Sequence, residues 1–260
     1  MDRPPRNARR AAPDTQPMPS TFTFEARRIL SALGSASLDL LMPPRCLACE
    51  EPVDRHGAFC PVCDVALTPV AEPCARCGLP DAAPLCPACV RSPPAFASAH
   101  APWLYGGSLS TVITRMKYGD HPELARPLGR FLAATLRAAD LAHHALVPVP
   151  LHRRQLARRG FNQAALLARH ARSSLPHPIL HDALRRTRPT AEQAGLSRAD
   201  RLTNLTGAFV VPRPSLVRGR KLLLVDDVLT TGATAQACAV ALYDAGALEV
   251  RVLTVARAVP

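Results

Sequence analysis

Apolar residues fall along this chain in two rhythms. Unbroken runs such as ALVPVPL (145–151) and LLLV (222–225) suit inner strands covered on both faces, whereas spacings of three and four suit helices packed by one side. The helical rhythm predicts SLSTVITRMKYG (108–119) and PELARPLGRFLAATLRAA (122–139) as helices. The second presents Leu124, Leu128, Phe131, Leu132 and Leu136 on one face despite Pro127. FNQAALLARHARSSL (161–175) and ACAVALY (237–243) read as two more, the latter closed by Gly246. AHAPWLY (99–105), residues 179–184, RGRKLLLV (218–225) and LEVRVLTVARAV (248–259) read as strands. Between 184 and 205 the periodicity is weak; a mobile segment and a short helix over 197–205 are expected there. Strands alternating with helices predict an α/β domain built on a mostly parallel sheet.

Upstream the pattern is sparser. FTFEARRILSALGSASLDLLMPP (22–44) has Ile29, Leu30 and Leu33 at helical spacing and predicts one or two short amphipathic helices ended by Pro43 and Pro44. SPPAF (92–96) reads as a linker. The first twenty residues are polar and rich in Pro and Arg without an apolar core, which predicts a disordered tail, or a start codon set too early, rather than a secretory signal. No apolar run approaches the ~18–20 residues of a membrane span, so a cytoplasmic location is expected. The expected organisation is a tail over 1–21, a helix and cysteine-rich module over 22–92, and the α/β domain over 93–260. The 260 residues suffice for one ample domain and a smaller module.

A net charge of +12 fits a polyanionic partner, nucleic acid or a phosphorylated metabolite. Lysine occurs only at Lys117 and Lys221, so the excess is carried by Arg, a bias that a GC-rich genome also produces.

Eight of the nine cysteines form four C-x-x-C pairs, Cys46/Cys49, Cys60/Cys63, Cys74/Cys77 and Cys86/Cys89, separated by ten, ten and eight residues. A C-x-x-C turn directs two thiolates at one tetrahedral ion, and two turns complete a four-sulfur zinc site. Disulfides and redox dithiols are the alternatives; the missing secretory signal and the even spacing favour two structural zinc ions. Consecutive pairing closes the shorter loops and predicts two stacked ribbons, with an interleaved cross-brace as the other arrangement. Cys238, in the helix over 237–243, is expected in the core.

The run LLLV ends in Asp226 and Asp227, followed by Thr230, Thr231, Gly232, Ala233 and Thr234 at the start of a helix. Ligands of open α/β sheets bind at the carboxyl ends of strands, and a small hydroxylated turn at a helix N-terminus offers amides to a phosphate. Carboxylates for sugar hydroxyls or a metal, beside a phosphate nest, describe a site for a phosphorylated sugar. HRRQLARRG (152–160) brings Arg153, Arg154, Arg158, Arg159 and Gly160 after another inner strand. It reads as a basic loop for pyrophosphate or DNA phosphate, or else as a surface helix with solvated arginines.

VDDVLTTGAT resembles the signature by which type I phosphoribosyltransferases bind phosphoribosyl pyrophosphate (PRPP). The wider order of CLAC, CPVC, CARCG, CPAC, MKYGDHPELARPLGRFLA, VPVPLHRRQLARRGFNQAALLA and RTRPTAEQAGLSRADRLTNLTGAF resembles the ComF family, also called competence protein F. The resemblance implies a phosphoribosyltransferase-like parallel sheet flanked by helices and preceded by a double zinc ribbon. It implies Asp226 and Asp227 on the ribose hydroxyls with Mg²⁺, Thr230 to Thr234 around the 5-phosphate, the arginine stretch at pyrophosphate, and a catalytic loop around 185–202. It further implies handling of incoming single-stranded DNA in natural transformation, with a competence helicase and DNA-processing proteins as partners. The alternatives are an active phosphoribosyltransferase of nucleotide metabolism, a glycosyltransferase whose acceptor the sequence does not identify, and a PRPP sensor. The aromatic content of 4% argues against an extended base-stacking platform.

Overall fold

Two nine-residue strands organise the α/β domain, and both are apolar on either face. In the computed structural model, residues 43–139, 141, 143–172, 178–188, 205 and 207–259 are described. In chain order the helices are α1 (Pro61–Val65), α2 (Pro87–Arg91), α3 (Gly107–Tyr118), α4 (Ala125–Ala138), α5 (Arg153–Arg159), α6 (Gln163–Ala171) and α7 (Ala233–Asp244). The strands are β1 (Ala99–His100), β2 (Trp103–Leu104), β3 (Ala145–Pro148), β4 (Arg185–Arg186), β5 (Phe209–Val210), β6 (Lys221–Leu229) and β7 (Glu249–Arg257).

The main sheet is parallel, in the order β1, β7, β6, β3, with β2 also on β7. Side chains of a strand alternate between faces, and here both faces are covered. Leu222 and Leu224 of β6, with Val250 and Val252 of β7, pack against Cys238, Ala239 and Leu242 of α7. Leu223 and Val225, with Leu253 and Val255, pack in a second core with Ile113 and Met116 of α3, Leu128 and Leu132 of α4, and Leu167 of α6. Burial on both sides explains why LLLV shows no polar alternation.

Pro127 is the third residue of α4, where the amide of a helix has no intrahelical acceptor, so proline costs no hydrogen bond there. Asn162 caps α6, its side chain accepting from the Ala164 and Ala165 amides at 2.9 and 3.4 Å. Residues Pro44–Pro260 form one compact unit, so the cysteine-rich module and the sheet share a body. Among the described residues, no helix is long and apolar enough to cross a membrane.

Four expectations are corrected. AHAPWLY is two short strands rather than one, interrupted at Ala101 and Pro102, because proline donates nothing to a ladder. Residues 179–184 contribute one bridge, Ile179 to Leu146, before turning; the strand that follows, β4, pairs antiparallel with β5 in a separate two-stranded sheet. SPPAF is no free linker: Phe96 is 2% exposed and part of the first core. HRRQLARRG is helix α5, capped by the His152 ring, which accepts from the Arg154 amide at 3.3 Å, and closed by Gly160 at φ +80°. The helices expected over 22–44, the tail, and residues 189–204 lie outside the described residues.

Helices α4 and α6 cross at Gly129, where an added Cβ would stand 2.4 Å from the His170 Cβ. Gly129→Ala should therefore destabilise the fold by about 2 kcal/mol, because overpacking a close crossing outweighs the ~1 kcal/mol helix preference for alanine. Urea denaturation measures it; an unchanged or raised midpoint would show that the two helices separate freely.

Candidate functional site

The four C-x-x-C pairs assemble consecutively. Cys46, Cys49, Cys60 and Cys63 form one cluster, and Cys74, Cys77, Cys86 and Cys89 the other, with the sulfurs of each within 4.8 Å of one another. Cys49 and Cys60 sulfurs lie 3.6 Å apart, and those of Cys77 and Cys86 3.7 Å. Sulfurs held about 2.3 Å from a tetrahedral zinc stand about 3.8 Å apart, whereas a disulfide bond is about 2.05 Å. The Cys60 amide donates to the Cys46 sulfur and the Cys86 amide to the Cys74 sulfur, each at 3.3 Å. Burial alone would raise the Cys46 and Cys74 thiols, but the surrounding backbone amides draw both down to about 6, whereas burial and the crowding of neighbouring sulfurs hold Cys49, Cys63, Cys77 and Cys89 above the ordinary thiol value. Donor type, spacing and amide support thus fit two structural zinc ions.

The ribbons rest on different parts of the domain. In the first, Arg115 of α3 donates to the Leu47 carbonyl at 3.2 Å and pairs with Glu50, while Leu47 enters the α3–α4 core. In the second, Arg76 donates to the carbonyls of Phe96 and Ala97 at 3.3 and 3.2 Å. A Cβ at Gly78 would stand 2.8 Å from the Ala99 carbonyl oxygen, so the second ribbon lies directly on the start of the sheet.

β6 runs on to Leu229, so Asp226 and Asp227 sit within the strand rather than beyond its end. Adjacent strand residues alternate between faces, yet the two carboxylates remain within reach of one another and of Lys117, with different surroundings. Asp227 is 3% exposed and pairs with Lys117, near the end of α3, at 2.6 Å. Burial would lower the Lys117 ammonium; the Asp227 charge overrides it and leaves the pKa above the ordinary lysine value. Asp226 instead lines a cleft with Val149, Val228, Thr230, Gly232, Ala233 and Thr234. Its carboxylate accepts from the Asp227 amide at 2.9 Å. Burial first, then the neighbouring Asp227 charge, push Asp226 up to about 8 against the opposing pull of Lys117. With the folded pKa above the unfolded value of 3.8, Asp226 contributes stability that is fully present below about pH 4 and lost as pH rises through about 8.

The turn after β6 carries the remaining candidates. Gly232, at φ +81°, opens α7 in a left-handed conformation that suits glycine. The Thr231 hydroxyl accepts from the Ala233 amide at 3.4 Å, and Thr231 lines a separate cavity toward the second ribbon. The arginines of α5 scatter. Arg159 stacks over Tyr118 at 5.2 Å and donates to Gln163 at 2.6 Å. Arg153 lines a basic cleft with Arg185, Arg186 and Arg213, while Arg154 and Arg158 are exposed. Gly160 closes the helix, its amide donating to the Leu156 carbonyl at 2.8 Å.

Sequence reasoning missed Lys117 and Arg257 as parts of this region, while Arg186 falls in the segment around 185–202 expected as a catalytic loop. Lys117 left one usable trace, a lone lysine at a helix end in a chain that otherwise favours arginine. Arg257 ends a strand that reads as plain core, and nothing in its neighbours marks it.

Comparison with known proteins follows the same division of the chain. The double zinc ribbon domain family matches residues 37–90, and the phosphoribosyl transferase domain family matches residues 118–258. The chain is 34% identical to the DNA utilization protein YhgH of Escherichia coli (strain K12) over 226 residues, 84% of this chain and 99% of that one. It is 34% identical to competence protein F of Haemophilus influenzae over 193 residues, 71% and 84% of the two chains. Competence protein ComFC of Bacillus subtilis is 28% identical over 145 residues, 55% and 57%.

Lys117→Met strands the Asp227 carboxylate in a buried site and should lower the unfolding free energy by about 3 kcal/mol. Adding Asp227→Asn to that variant should restore most of the loss. Urea denaturation of the four proteins closes the cycle; strictly additive losses would show that the two side chains do not act as a pair.

Proposed function

This chain belongs to the family of competence protein F and the DNA utilization protein YhgH, and we propose that it binds PRPP with Mg²⁺ at the end of β6 and handles single-stranded DNA in DNA uptake or use. The observation that carries the reading is the convergence of Asp226 with Thr230, Gly232, Ala233 and Thr234 around one cleft at the start of α7. The twelve-residue helix α7 turns its first amides and the positive end of its dipole toward that cleft, an arrangement suited to a phosphate. Asp226, the carboxylate in the cleft, takes the ribose hydroxyls. Asp227 acts one layer back, where its pairing with Lys117 fixes the strand that presents Asp226.

A single carboxylate beside a phosphate nest fits Mg²⁺, which binds through one or two carboxylates plus substrate phosphates. When bound, the ion would offset phosphate charge; Asp226 must release its proton to receive it. The DNA-handling part rests on the family and on the arginines of this region: Arg153 lines a cleft with Arg185, Arg186 and Arg213, the last paired with Asp182 at 2.7 Å, and Arg154 and Arg158 are exposed on the same helix α5. Contacts to phosphate alone suit a partner bound with little sequence preference.

Calorimetric titration of Mg·PRPP into the zinc-loaded protein tests the first half. Affinity should climb between pH 6.5 and 8.5, with the release of about one proton per PRPP bound near pH 6.5 and progressively less as pH passes about 8, the sign expected when a carboxylate titrating at about 8 must ionise. Asp226→Asn should remove the binding without lowering the unfolding midpoint, since an amide carries none of the cost of ionising a carboxyl held at about 8; undiminished binding in that variant would overturn the assignment. For the DNA half, reversing Arg153, Arg154 and Arg158 to Glu should flatten the salt dependence of single-stranded DNA affinity by about two units of slope, since each phosphate contact contributes about 0.7. An unchanged slope would move the contact away from α5.

A further inference from the structure

Arg257, the last residue of β7, is an arginine only 6% exposed, and it spans two features that the sequence keeps far apart. Its Nε donates to the Cys77 carbonyl of the second ribbon at 3.0 Å. Its Nη1 donates to the Leu229 and Thr230 carbonyls, at 3.0 and 2.7 Å, and also contacts the Ala258 carbonyl. Leu229 ends β6 and Thr230 begins the turn toward α7. One rigid guanidinium thus joins a metal-binding turn to the backbone that leads into Thr231, Gly232 and Ala233.

The rest of that contact is thin. Between the ribbon and the turn lies a cavity of about 160 Å³, lined by Cys77, Cys89, Phe96, Thr231, Gly232 and Arg257. Its other ties run through residues 95–97, where the Ala95 amide donates to Gln236 of α7 at 2.6 Å and Phe96 lies 3.8 Å from the position a Cβ on Gly232 would take. Leu229 and Ala233 at the ends of the turn are anchored in the first core, and the Leu229 carbonyl also accepts from the Ala258 amide at 2.9 Å. Thr231 and Gly232 between them face the cavity, however, so hydrogen bonds from a fixed donor to Thr230 bear on how that middle is set. The first ribbon's bonds to the domain go instead to Arg115 on α3.

We infer that Arg257 is a positioning residue that makes the turn at Leu229 to Ala233 depend on the second zinc site and not on the first. Metal at Cys74, Cys77, Cys86 and Cys89 holds the Cys77 carbonyl; the guanidinium transmits that position to Leu229 and Thr230; the following amides are then set for an anion. Coupling of this kind is reciprocal. An anion seated in the turn therefore raises the zinc affinity of the second site and leaves the first unaltered, an arm that rests on the PRPP reading above.

Hydrogen exchange by mass spectrometry on the full-length zinc protein, without ligand, tests the coupling itself. Peptides covering 229–233 should exchange about tenfold faster in Arg257→Lys, whose point-charge ammonium cannot hold carbonyls on two sides. Cys89→Ser, with its second zinc lost, should match that rate, and Cys63→Ser should keep the wild-type rate. Arg257→Lys should still carry both zinc ions, which separates positioning from unfolding. Unchanged exchange in Arg257→Lys, or equal acceleration in Cys63→Ser, overturns the inference. A second arm follows zinc extraction by a graded chelator with and without Mg·PRPP: one of the two ions should be retained about tenfold more strongly, and Arg257→Lys should abolish that difference. PRPP that binds wild type without changing retention of either ion counts against the coupling. Failure of wild type to bind PRPP counts against the function proposed above, and the exchange result then decides the inference by itself.

Discussion

A central strand covered on both faces cannot give two neighbouring carboxylates the same surroundings even when they touch, and the organisation of the site follows from that constraint. Asp227 is directed into a core of leucine, valine and helix side chains, where an ionised carboxylate needs a cation at hydrogen-bonding distance. Lys117 meets that need from the end of α3, so helix and strand are locked at one point. Asp226 is directed to the cleft, and its pKa rises because burial and the Asp227 charge both resist a second negative charge. One acid serves the architecture and the other remains available for ligand.

The two ribbons show how a small module without an ample core becomes part of a larger body. Their stability comes from thiolates and amides around an ion rather than from apolar area. Each nevertheless contributes contacts that the domain uses: Leu47 enters the α3–α4 core, and Arg76 and Gly78 lie against the segment that opens the sheet. They repeat one local design, a C-x-x-C turn followed by a Cys-Pro helix start, yet dock on different elements. Chemical equivalence of the clusters therefore does not imply equivalence of their effects.

Local chemistry was legible wherever it was dense. The consecutive sulfur clusters follow from loop lengths, α3, α4, α6 and α7 from apolar spacing, and the turn at Gly232 from its small hydroxylated neighbours. What escaped depends on where strands lie across the sheet. That Asp227 pairs with Lys117 while Asp226 lines the cleft required knowing that β6 continues for two residues beyond them, and VDDVL reads equally well as a strand end. Lys117 is 110 positions from its partner, and only the packing of α3 on the sheet brings them together. HRRQLARRG has no apolar face to mark a helix, so its helical form rests on the His152 cap and the Gly160 stop, signals that a loop shares. Phe96 was hidden by its own sequence, since prolines beside a lone aromatic read as a spacer.

The pairing of Lys117 with Asp227 and the proton on Asp226 bear on which molecules can enter. Near neutral pH the two acids and the lysine sum to almost no charge, so an empty cleft exerts little repulsion on an approaching phosphate. It also exerts little attraction on a bare cation, because the carboxylate that would receive it still holds its proton. On the proposed reading, an ion that arrives already joined to phosphate would be held by the α7 amides through that phosphate, and the ion itself, not the net charge of the complex, would displace the proton. A metal-free polyphosphate would meet only the amides of α7, and a lone metal ion only a neutral acid. On that reading the site would distinguish the complex from either component before any contact with the sugar is made.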